Sequence, residues 1–83
     1  MPAQGTMYEL RGRALYVNGE LLTLTPGVVE TAILYYEEET GKMISWSDES
    51  PTPVPWSAVE KMLHLQRMLD VSRLRHAANS RSA

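Results

Sequence analysis

Residues 28–46, VVETAILYYEEETGKMISW, decide the fold. Among residues 28–36, Val28, Val29, Thr31, Ile33, Tyr35 and Tyr36 are β-branched or aromatic, types that suit a pleated surface and make mediocre helices. In period two, Val29, Thr31, Ile33 and Tyr35 share one face, and Val28, Glu30, Ala32, Leu34 and Tyr36 share the other. Glu38-Glu39-Thr40-Gly41 then reads as a hairpin tip, with Met43–Trp46 returning as the next strand. A helix competes for the same stretch. Thr25 can cap it, Pro26 can occupy its first position, Gly41 can end it, and Val29, Ala32, Ile33 and Tyr36 fit helical spacing.

Upstream, residues 7–17 read as extended chain with a bulge or bend at Gly12. Asn18-Gly19, between Leu15-Tyr16-Val17 and Leu21-Leu22, is the strongest short-range turn signal and predicts a type I′ hairpin. Pro26-Gly27 closes the following strand. The period-two reading therefore predicts an α+β fold. A small antiparallel meander of four strands fills residues 7–47, behind a tail at 1–6, and one long C-terminal helix lies across it.

Downstream, residues 48–56 form a proline-rich connector, stiff and poor in backbone donors. Ser57 and Glu60 make a capping box for a helix over 57–78, followed by a tail at 79–83. On a helical wheel Val59, Met62, Leu63, Leu65, Gln66 and Leu69 form the stripe that faces the sheet. Asp70 and Arg73 then fall in the same arc, which predicts a break near Asp70 or a departure from the sheet. Past it, Met68, Val71 and Leu74 beside Arg75 suit a homodimer contact or a partner groove.

Eighty-three residues bound this to one domain with a modest core. There is no cysteine, so no disulfide framework or thiolate chemistry, which fits a reducing, cytoplasmic setting. No apolar run approaches the length of a membrane span. The net charge of −2 is unevenly spread. Residues 1–56 carry three basic and eight acidic side chains, whereas residues 57–83 carry five and two. Catalytic and cofactor signatures are missing: no phosphate-cradling glycine loop, no nucleophile elbow, and a Glu60–His64 pair with no third metal ligand. His76 reads as a cation at a helix C-terminus.

The hairpin reading gathers Glu37, Glu38, Glu39, Asp48 and Glu49 into an acidic surface, which attracts a basic partner. The expected function is non-enzymatic protein binding. It would be a small regulator or inhibitor, of the kind phages and mobile elements direct at host machinery, that occludes a host protein with a basic or groove-like surface. No cofactor, metal or membrane is expected.

A second expectation comes from a resemblance. Leu15–Glu20 (LYVNGE), Leu24-Thr25-Pro26 and Gly41–Ser45 (GKMIS) resemble the opening of the winged-helix output domain of two-component response regulators. That resemblance implies a small sheet, a step at Leu24-Thr25-Pro26 into a first helix over residues 25–39, and a second helix after Ser45. It also implies DNA contacts from Arg67, Arg73 and Arg75. Leu74-Arg75 is similar to the basic end of the recognition helix. The pattern departs at residues 47–55, where prolines replace the second helix, and no wing hairpin follows.

Overall fold

A computed structural model describes residues 5–47 and 49–82, with side chains as far as His76. Strands β1 (Tyr8–Arg11), β2 (Ala14–Val17) and β3 (Glu20–Leu22) precede helix α1 (Val28–Thr40). A short β4 (Thr52–Pro53) and helix α2 (Trp56–Ser82) complete the chain. The α+β class stands as read, with four antiparallel strands in one sheet of order β3-β2-β1-β4 and a long C-terminal helix.

The two tight turns follow from backbone stereochemistry. Asn18 and Gly19 both take positive φ, 51° and 83°, so Val17 faces Glu20 across a type I′ turn, as the sequence requires. Gly12 is a turn and not a bulge. With φ at 59° it is the first central residue of a two-residue turn that pairs Arg11 with Ala14. Cross-strand pairs Tyr8–Val17 and Leu10–Leu15 put four apolar side chains on the inner face. On the outer face the Arg11 guanidinium sits 4.6 Å from the centre of the Tyr16 ring.

The fourth strand is not where period two puts it. Residues 28–36 are helical, and residues 42–47 have no regular structure. Burial explains the outcome. Val28, Val29, Ala32, Ile33 and Tyr36 all lie on one side of a helix and enter the core together, whereas either strand face leaves part of that set outside. Gly27 (φ 92°) caps the start and Gly41 (φ 73°) ends it by donating to the Glu37 carbonyl at 2.9 Å. Thr25 does not cap; its side chain turns to α2 instead. Pro26 precedes the helix and does not open it.

The edge strand β4 comes from the proline-rich connector. It pairs Glu9 with Pro53 and Leu10 with Thr52, an edge position being one of the few that a strand proline tolerates. Helix α2 starts one residue before the expected capping box. The Pro55 carbonyl accepts from Ala58 and Val59, leaving Ser57 inside the first turn. The helix does not break near Asp70 but runs unbroken for 27 residues, a length of about 40 Å.

The core comprises Leu10 and Leu15 from the sheet, the five buried residues of α1, Val54, and Ala58, Val59 and Met62 from α2. Helices α1 and α2 pack antiparallel. Lys61 meets Glu39 at the end of α1, and Gln66 and Arg73 reach Thr25 ahead of its start. Leu63 leaves the predicted stripe and is 37% exposed. From Arg67 to His76 every residue of α2 is exposed, so the second half of the helix projects from the domain.

Candidate functional site

Helical periodicity in α1 places Tyr35, Glu38 and Glu39 on one flank, since residues three and four apart are neighbours. Opposite them, α2 presents Glu60, Lys61, His64, Leu65 and Met68. Between the two flanks runs an open groove of about 780 Å³. Its floor is apolar, with Tyr35 53% exposed, Met68 55% exposed and Leu65 partly buried. Its rim is acidic. Lys61 is committed to an ion pair with Glu39, and Glu38 and Glu60 have no ion pair among the described residues.

Both predicted contact sets contribute to this groove. Glu38 and Glu39 come from the acidic set, and Met68 from the dimer-or-groove set. The other members lie elsewhere. Glu37 is partly buried and accepts the Ile44 N–H at 2.8 Å, tying the loop after α1 back to the helix. The acids therefore sit on the last turn of a helix, not on a hairpin tip. Glu49 is exposed in a bend, and Asp48 lies outside the described residues. Val71, Leu74 and Arg75 are exposed on the projecting half of α2, with Leu74 at 71%.

Tyr35, Leu65, Glu60, Lys61 and His64 are the groove residues that the sequence reading assigned to no partner contact. A helical wheel drawn through residues 28–40 groups Tyr35 with Glu38 and Glu39, which was the available signal.

A polar clamp fixes how far α2 stays on the domain. The Thr25 N–H donates to Gln66 Oε1 at 2.7 Å, and Gln66 Nε2 donates to Thr25 Oγ1 at 3.0 Å. The same Nε2 also donates to Asp70 Oδ1, and Arg73 donates to Thr25 Oγ1 at 3.1 Å. These partners account for the polar residues that interrupt the apolar arc.

Among the described residues there is no group of three or more His, Asp and Glu side chains placed to hold a metal ion. None of the described helices is long and apolar enough to cross a membrane. Compared with protein-family models, curated proteins and solved structures, the chain matches none.

Proposed function

We propose that this chain is a non-enzymatic protein-binding module that takes a basic, amphipathic segment of its partner into the α1–α2 groove. One observation carries the reading: an apolar floor of Tyr35, Leu65 and Met68 shares a groove with the acids Glu38, Glu39 and Glu60. An apolar anchor residue of the partner would displace water from the floor, while flanking Lys or Arg would meet the rim. The rim charges speed encounter and select basic partners; the floor supplies most of the affinity. Bound in this way, the module acts as a small regulator that occludes the surface it captures.

Affinity capture from a nuclease-treated cell lysate tests it, with Glu38→Lys/Glu60→Lys and Met68→Glu variants run beside the intact protein. A discrete protein retained by the intact chain and lost with both variants supports the groove. Equal retention by all three removes it.

A second reading, a minimal winged-helix-like DNA-binding regulator, gains support from α1 following Leu24-Thr25-Pro26 and from the order of three strands, helix, strand and helix. The single unbroken α2 in place of two shorter helices weighs against it. Retention of nucleic acid by the untreated sample, lost on Arg67→Glu/Arg75→Glu, would favour this reading.

A further inference from the structure

Helix α2 carries a second stripe, turned away from both the core and the groove. Leu63, Arg67, Asp70 and Leu74 follow the alternating spacing of a helix–helix seam. All four are exposed, Leu63 at 37% and Leu74 at 71%. The order apolar, positive, negative, apolar complements its own reverse. In a parallel pair Arg67 would face Arg67 and Asp70 would face Asp70, with like charges opposed. In an antiparallel pair each charge meets its opposite and each leucine meets a leucine.

We propose that the occupant of this stripe is a second copy of the same chain, bound antiparallel about a two-fold axis that crosses α2 between Met68 and Leu69. Leu63 then lies opposite Leu74 of the second copy, and Arg67 opposite its Asp70. An isologous contact repeats each pairing, so two leucine pairs flank two ion pairs. A shallow depression of about 280 Å³, lined by Trp56, Glu60, Leu63, His64 and Arg67, lies where Leu74 of the second copy arrives. The projecting half of each α2 is thereby supported by the packed half of the other.

Asp70 is already held from within its own chain, by Gln66 at 3.0 Å and by Arg73 at 3.8 Å. Those contacts orient the carboxylate and leave its side chain 56% exposed. Arg67 has no ion pair among the described residues. Glu60 and His64 border both the partner groove and the depression that receives Leu74, whereas Lys61, Leu65 and Met68 lie around the helix from this stripe. Pairing of two copies therefore leaves open the α1 side of the proposed partner groove together with Lys61, Leu65 and Met68.

Analytical ultracentrifugation of the full chain from low micromolar to millimolar concentration reads the outcome. The intact chain is expected to dimerise. Arg67→Asp, which sets like charges opposite Asp70, is expected to weaken the dimer by at least about tenfold. Adding Asp70→Arg to that variant exchanges the charges and is expected to restore the dimer, with circular dichroism confirming the fold of each variant. Because the chain lacks cysteine, cross-linking gives an independent register. Leu63→Cys/Leu74→Cys is expected to form a disulfide-linked dimer under mild oxidation, the two positions of one chain being about 16 Å apart. Leu74→Cys alone is expected to stay monomeric on a denaturing gel. A monomeric intact chain, an unchanged dimer in Arg67→Asp, a failed charge exchange, or cross-linking through Leu74→Cys alone would each overturn the proposal.

Discussion

Replacing Gln66 with leucine tests how the two helices are joined. Its amide makes three hydrogen bonds, two of them to Thr25, 41 residues away and part-buried. The third, to Asp70, is exposed; water substitutes for it at little cost. Each bond to Thr25 contributes about 1 kcal/mol, and leucine also leaves the Thr25 N–H without its partner. The expected loss is about 2 kcal/mol. In a domain of this size a urea slope of about 1 kcal/mol/M turns that into a midpoint lowered by about 2 M, followed by far-ultraviolet circular dichroism. Gln66→Glu keeps an acceptor for the Thr25 N–H but loses the donor and sets a charge beside Asp70. It should fall between leucine and the intact chain. A Gln66→Leu midpoint within about 0.3 M of the intact protein would refute the clamp, since that difference equals only a few tenths of a kcal/mol.

Two further outcomes follow from the packing. Met62 is fully buried where α2 meets the core, so Met62→Ala should cost about 2–5 kcal/mol in the same urea titration. Gly41 ends α1 at φ 73° with open space around its missing Cβ. Gly41→Ala should therefore cost about 1 kcal/mol through backbone strain alone, and D-alanine introduced by chemical synthesis should be neutral or stabilising.

How far the sequence discloses this molecule varies from element to element. The Asn18-Gly19 hairpin was fully legible, because both residues of a type I′ turn need positive φ and few pairs accept it. Helix α1 was not. Its β-branched residues favour a strand locally, and only the position of the sheet shows that Val28, Val29, Ala32, Ile33 and Tyr36 must be buried together. A strand reading puts Glu37, Glu38 and Glu39 at a hairpin tip and hides the alignment of Glu38 and Glu39 with Tyr35. The apolar stripe of α2 was legible through Gln66 apart from Leu63, and Leu69 lies on the exposed half. Its continuation through Asp70 and Arg73 looks like a break because Gln66 and Arg73 are held by Thr25, 41 and 48 residues earlier in the chain, and Asp70 by those two side chains. No helical period reports a partner at that separation.

The groove between α1 and α2 is the proposed seat of a basic, apolar-anchored partner segment. Its most direct test is a nuclear magnetic resonance titration of the isotope-labelled chain with the captured partner segment, after assignment of the backbone amides. The largest shifts are expected on Tyr35, Glu38, Leu65 and Met68 and are expected to disappear with Met68→Glu. Shifts confined to the outer sheet face around Arg11 and Tyr16, or binding unchanged by Met68→Glu, would contradict it.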